Sequence, residues 1–234
     1  EREREIRAFI PETYWALTAD FKTKAGATIS LSCVDEPRDR KEVDRIIGIA
    51  NKEDWLIKDI KESEQKRSPR APFTTSTLQQ AASSRLGFSP SRTMQVAQKL
   101  YEAGHISYMR TDSTTLSKQS VASVAHIVEK KYGKDYLEVR TYKTKAKNAQ
   151  EAHEAIRPTS ISRTPDAVKA YLSPEQFKLY EMIWKRTLSC QMAPAKFDTT
   201  SLDLAVGGDE STLFRASGQI LTFPGFNGLN SRIQ

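Results

Sequence analysis

Hydrophobic and polar positions alternate in the first and last stretches of the chain and recur at helical spacing between them. Trp15, Leu17, Ala19 and Phe21 share one face of an extended segment, and Ile29, Leu31 and Cys33 do the same beyond a Lys24-Ala25-Gly26 turn. This pattern predicts an antiparallel hairpin with one buried face. Val43, Ile46, Ile47 and Ala50 then repeat at helical spacing, predicting a short helix over 42–51, and 55–60 reads as a further strand. The first seven residues, charged and alternating in sign, read as the end of a solvated helix that begins outside the chain.

From residue 75 the period changes. Leu78, Ala81, Ala82 and Leu86 form a stripe closed by Gly87, and Ser89 caps a second helix with Pro90 in its first turn, ending at Gly104. Joined by Gly87-Phe88-Ser89 and followed by a strand-like 105–109, the pair resembles a helix-turn-helix. Val121, Val124, Ile127 and Val128 mark a third helix over 116–132, and 134–148 reads as a basic solvated loop with Lys143, Lys145 and Lys147 alternating. Ser173-Pro174-Glu175-Gln176 is a capping box, opening a helix with Phe177, Tyr180, Ile183, Trp184 and Leu188 on one face that ends near Gln191. Alternation returns at 197–206 and 211–217 across a Gly207-Gly208-Asp209 turn.

Strands, then helices, then strands predict an α+β multidomain fold: an antiparallel β domain with a mainly helical, helix-turn-helix-like domain inserted in it. The basic, proline-punctuated run Lys66-Arg67-Ser68-Pro69-Arg70-Ala71-Pro72 suits the first crossing. The boundaries are 1–65 and 195–226 for the β domain and 66–194 for the helical domain, with 227–234 an unassigned tail.

Composition narrows the class. With 234 residues, 38% of them hydrophobic, the chain can bury a core, and no apolar run approaches the roughly 20 residues of a bilayer-spanning helix. The start lacks the pattern of a secretory signal, so a cytoplasmic location is expected. Cys33 and Cys190 form neither a zinc motif nor a disulfide framework and read as small buried residues. The net charge of +7 favours polyanions, and it is uneven: residues 58–110 carry nine Lys/Arg against four Asp/Glu.

Two segments concentrate chemistry. In Tyr108-Met109-Arg110-Thr111-Asp112, an extended backbone puts Tyr108, Arg110 and Asp112 on one side. A phenol with a pKa of about 10 needs nearby positive charge or a base to act as a nucleophile. Arg110 supplies that charge and is able to bind a phosphate bidentately, while Asp112 is placed to orient Arg110. The competing reading is a surface Tyr-Arg-Asp cluster held by packing. The second segment is Glu151-Ala152-His153-Glu154-Ala155-Ile156-Arg157. His153 as imidazolium suits a phosphate contact or proton shuttle, and if the segment is helical Arg157 lies one turn away on its face. The alternative is a helix residue satisfied by a backbone carbonyl. Glu151 and Glu154 suggest metal ligands, yet no H-E-x-x-H or Asp-x-Asp completes a site.

The words themselves are recognisable. Ala71-Pro72-Phe73-Thr74-Thr75-Ser76-Thr77-Leu78-Gln79-Gln80, Tyr101-Glu102-Ala103-Gly104-His105-Ile106-Ser107-Tyr108-Met109-Arg110-Thr111-Asp112-Ser113 and Glu151-Ala152-His153-Glu154-Ala155-Ile156-Arg157-Pro158, in that order, strongly resemble the bacterial topoisomerase I family of type IA DNA topoisomerases. The likeness runs from Glu1 to Phe226, and Met109 favours this branch over topoisomerase III, where proline is usual. The resemblance implies that Tyr108 is the nucleophile, attacking single-stranded DNA to leave a 5′-phosphotyrosine and a free 3′-hydroxyl. Strand passage and religation then relax negative supercoils without ATP. It implies that Arg110 positions the scissile phosphate, that His153 contacts it, and that Asp112 and Arg157 support the site and its DNA.

The family's Mg²⁺ site, an acidic cluster with a lysine in a Toprim domain, has no counterpart here, nor does the segment that grips single strands. The chain reads as an excised arch: it binds no metal itself, partners the missing domains of its own polypeptide, and alone neither cleaves nor relaxes DNA. Residues 227–234 depart from the family pattern. A non-catalytic single-strand-binding module would also explain the charge, but leaves the ordered Tyr-x-Arg-x-Asp and His-Glu-x-x-Arg words unexplained. A structural or protein-partner domain fits the uneven charge less well.

Overall fold

A computed structural model of the chain describes residues 1–142, 154–207 and 209–229, with backbone only at 209–211. The chain separates into two compact units, Glu1–Gln65 with Phe197–Leu221, and Lys66–Lys196 with Thr222–Gln234. It therefore crosses between them three times.

The first unit opens with helix α1 (Arg2–Ala8), which buries no residue and carries an Arg7–Glu3 ion pair at 3.1 Å. Strands β1 (Thr18–Lys22) and β2 (Thr28–Cys33) form the expected hairpin, with Ala19 opposite Leu31 and Phe21 opposite Ile29. Trp15 lies before the ladder and donates its N–H to the Pro37 carbonyl instead. Asp39 caps α2 (Arg40–Ala50), accepting the Lys41 N–H, and Val43 and Ile46 are its buried residues. β3 (Trp55–Arg67) runs further than its hydrophobic pattern indicates, because its second half is exposed and polar. With β4 (Ala195–Val206) and β5 (Asp209–Phe223) the sheet order is β1-β2-β5-β4-β3.

One core lies on this sheet: Leu31, Ile46, Leu204, Val206 and Phe214, flanked by Phe21, Trp55 and Cys33. Trp55 meets Phe21 and Phe214 edge-on at centroid distances of 4.8 and 4.9 Å. At the β4–β5 turn Gly207 has φ +61°, and a Cβ there would come within 2.9 Å of the Ile49 side chain, so both backbone and space exclude other residues.

The second unit is helical. α3 (Thr75–Leu86) starts with a Thr74/Thr77 capping box, and α4 (Pro90–Glu102) follows the Gly87-Phe88-Ser89 link with Ser89 accepting the Arg92 N–H. α5 (Lys118–Tyr132) is capped by Ser117, a short α6 (Pro165–Val168) follows, and α7 (Pro174–Ser189) opens on the Ser173/Gln176 capping box. α7 buries Leu179, Met182 and Thr187 besides Tyr180, Ile183, Trp184 and Leu188, because α3, α4, α5 and α6 all pack around it. Leu78, Leu100, Val124 and Val128 complete the core with Phe73, Ile106, Met109 and Ile156 from the connections.

The strand expected at 105–109 is a single bridge, Ile106 to Pro158, and residues 154–158 are extended rather than helical, with Ile156 bridged to Phe73. One bridged residue each way is too few for a strand, and the neighbouring backbone groups divide between backbone partners and the side chains of Thr75, Ser107 and Arg157. Phe226 donates its N–H to the Ala193 carbonyl, and Phe226 and Leu229 pack on the helical core. Cys190 is buried and Cys33 half-buried, both as free thiols. Glu151, His153, Lys143, Lys145, Lys147, Gly208 and 230–234 lie outside the described residues.

Candidate active site

The segment after α4 is fixed by its backbone and buried side chains, leaving alternate residues outward. Gly104, at φ +70°, turns the chain off the helix. Ile106 and Met109 then insert into the helical core at 1% exposure each, while Thr111 and Ser113 are buried beyond them. Between these anchors Tyr108 is 48% exposed, and Arg110 and Asp112 are exposed as well. The alternation expected of an extended segment is therefore present without a ladder strand.

Side chains from elsewhere take the place of a ladder. Thr75 Oγ1 lies 2.7 Å from the Met109 carbonyl and accepts the Thr111 N–H at 2.9 Å. The Thr111 carbonyl already receives the Thr75 N–H, so the single hydroxyl proton of Thr75 goes to Met109. On the other flank the Ser107 N–H donates to the Arg157 carbonyl at 2.8 Å, and Ser107 Oγ accepts the Arg157 N–H and donates to the Ala155 carbonyl. Tyr108 is thus held on both sides of its own residue.

The Tyr108 ring meets the exposed ring of Tyr101 edge-on, with centroids 5.3 Å apart. Among the described residues the Tyr108 hydroxyl has no hydrogen-bond partner, and Arg110 and Asp112 have no ion pair, so Asp112 does not orient Arg110 here. Arg110 and Asp112 share an open depression of about 430 Å³ with Thr75, Ser76, Gln79 and Thr111. An unpaired guanidinium beside an open hollow is suited to an anion carried by a ligand.

Arg157 is engaged differently. Its Nε donates to Glu154 Oε2 at 2.9 Å and one terminal nitrogen donates to the Pro158 carbonyl at 3.0 Å, while Glu154 Oε1 accepts the Ser117 N–H at 2.7 Å. Burial works to raise the Glu154 carboxyl, but the hydrogen bonds from Arg157 and Ser117 outweigh it and hold the group below the usual carboxylate range. Arg157 therefore ties the 154–158 segment to the start of α5, and it reaches the tyrosine only through the Ser107 backbone. Its guanidinium lines a separate cavity of about 430 Å³ beside α5, not the Arg110 depression. His153 lies outside the described residues.

Three residues carry geometry that the spacing did not single out: Thr75, Ser107 and Tyr101. Each sits inside one of the recognisable words, which was the available signal. His105, another neighbour, buries its Nδ1 without a partner among the described residues, its ring 6.0 Å from that of Tyr180 by centroids, and burial and then Arg163 push its pKa down. Among the described residues no three His, Cys, Asp or Glu side chains gather as a metal ion requires, and no helix is long and apolar enough to cross a membrane.

Comparison with known proteins gives one answer. DNA topoisomerase 1 of Xylella fastidiosa strain Temecula1 is 43% identical over 97% of this chain and 30% of its own length. The DNA topoisomerase 1 of Helicobacter pylori strain 26695 is 44% identical over 97% of the chain and 32% of its own length. The chain thus spans about a third of the length of the curated relatives it matches. The full-length topoisomerase I structure from Thermotoga maritima superposes with a TM-score of 0.78 at 31% identity, covering all of this chain and 38% of that one. The sequence profile of the DNA topoisomerase family matches residues 1–232, and the chain belongs to that family.

Proposed function

We propose that this chain supplies the nucleophile of a type IA DNA topoisomerase, which cleaves one strand of DNA, passes another through the break and reseals it. The observation that carries the reading is the Tyr108 ledge: an exposed phenol, on a backbone locked into the core, two residues from an arginine, neither with a side-chain partner among the described residues. Tyr108 Oη attacks a phosphodiester of single-stranded DNA. The phenolic oxygen bonds to phosphorus, the bond to the 3′-oxygen breaks, the phenol loses its proton, and the leaving oxygen takes one up. Attack by that 3′-hydroxyl runs the step backward. One phosphodiester replaces another of similar energy, so the cycle needs no ATP, and the strain of negative supercoiling sets its direction.

Arg110, with all of its donors available, binds the scissile phosphate and offsets the charge that builds on it during attack. His153 is assigned as a second phosphate contact, and Asp112 as a polar edge of the same DNA site. Arg157 supports the site through the Ser107 and Glu154 hydrogen bonds. In this reading Mg²⁺ is held by an acidic Toprim cluster of the longer protein. The working protein in this reading joins this chain to Toprim and strand-gripping domains, in the cytoplasm on the nucleoid. The 234-residue chain alone is expected to bind single strands weakly and to leave supercoiled plasmid unrelaxed.

The test mixes the chain with Mg²⁺, a 3′-labelled single-stranded oligonucleotide and a separately produced Toprim half of a topoisomerase I. A labelled adduct on a denaturing gel, mapped by mass spectrometry to Tyr108 and lost in Tyr108→Phe, is the expected result. No adduct from halves shown to associate would return Tyr108 to a structural residue and leave a single-strand-binding module.

A further inference from the structure

A group of cations on the helical unit is left unused by this reading. Arg186, on α7, is largely buried: its guanidinium lies 4.2 Å from the Phe73 ring centroid and donates to the Ala71 carbonyl at 3.1 Å. Burial, then the facing charges of Arg85 and Arg70, push its pKa down to about 10. Among the described residues no carboxylate pairs with Arg70, Arg85 or Arg186. Three like charges converge, one of them desolvated, and Glu181, the carboxylate that lines a hollow with them, is paired with Lys185 at 3.0 Å.

The three arginines stand between two hollows and line both. One, of about 380 Å³, adds the apolar Leu86, Met182 and Phe226, while the other, of about 420 Å³, adds Thr77, Gln80 and Thr114. Neither shares a lining residue with the Arg110 depression. Guanidinium groups match phosphate oxygens as a planar fork, and an apolar hollow with an aromatic residue suits a base or sugar beside that phosphate. An acidic peptide would use the charge but not the apolar hollow.

We propose that Arg70, Arg85 and Arg186 form a phosphodiester-binding cleft, separate from the Tyr108 site, that holds a second stretch of single-stranded DNA by its backbone. The proposal rests on the topoisomerase reading for the identity of the strand. Arg186 is the fixed member, oriented by Phe73 and Ala71, and Arg70 and Arg85 are exposed members free to close on a phosphate.

The experiment measures fluorescence anisotropy of a labelled thymidine oligonucleotide with the whole chain across a salt series. Arg70→Glu/Arg85→Glu is compared with Lys22→Glu/Lys24→Glu, an equal charge change at exposed positions of the β unit, with folding checked by circular dichroism. The expected result is a loss of about tenfold for the arginine pair and a salt slope shallower by about 1.4, with the lysine pair within about threefold of the parent. Equal losses for both pairs, or displacement by poly-glutamate as efficient as by unlabelled oligonucleotide at matched charge, would overturn the cleft. A parent chain that binds no oligonucleotide at about 50 mM salt would instead bring down the single-strand reading on which it rests.

Discussion

Tyr108 is exposed because its neighbours are not. Met109 and Ile106 are anchored in the core, and Thr75 closes the backbone on the far side through a hydrogen bond to a residue 34 positions on. Thr75→Val leaves the Met109 carbonyl and the Thr111 N–H without that hydroxyl, and should cost about 1–3 kcal/mol in urea unfolding. Adduct yield at Tyr108 should fall with it, and Thr75→Ser should restore both. The outward placement of Tyr108, Arg110 and Asp112 was legible from two-residue alternation alone. The clamp was not, because a bond spanning so much chain leaves no trace in local periodicity. Nor did spacing reveal that Arg110 and Asp112 form no ion pair among the described residues while Arg157 spends its guanidinium on Glu154.

At the scale of elements, end signals carried most of the readable information. The capping box at Ser173, the Ser89 cap and the Gly87 stop all stand where the residues place them, because each satisfies backbone groups within its own turn. Segments stabilised from a distance were less legible: 105–109 takes a single bridge instead of the expected strand, and 154–158, for which a helix was only one option, is bridged as well. α7 was assigned one apolar face but is enclosed by four helices, so Ile183→Ala should cost about 2–5 kcal/mol, measured by thermal or urea unfolding. The start of α5 depends on Glu154, whose carboxyl is held below its ordinary pKa of 4.5 in the folded chain. A depressed folded pKa gives stability that is present above the unfolded value and lost as pH falls through the folded one. Glu154→Gln should therefore be less stable than the parent at neutral pH, with the gap closing below about pH 4.5 in parallel acid titrations.

Over the whole molecule, each unit has its own core, one on the sheet around Leu31 and Phe214 and one around α7. Calorimetry should resolve two transitions, with Leu204→Ala lowering one and Ile183→Ala the other; a common shift would mean a single cooperative block. The strand-helix-strand order was readable because residue periodicity changes twice along the chain. The order of strands within the sheet was not, since β2 meets β5 at Cys33–Phe214 across the whole helical insertion. That pairing also dictates an order of events on the ribosome. The first three strands emerge well before the partners that complete their sheet, which at about 5–20 residues per second leaves them waiting on the order of ten seconds. The α7-centred unit has nearly all of its chain by Lys196 and can pack during that wait, so the unit that carries Tyr108 is expected to be assembled in the nascent chain before the sheet is completed.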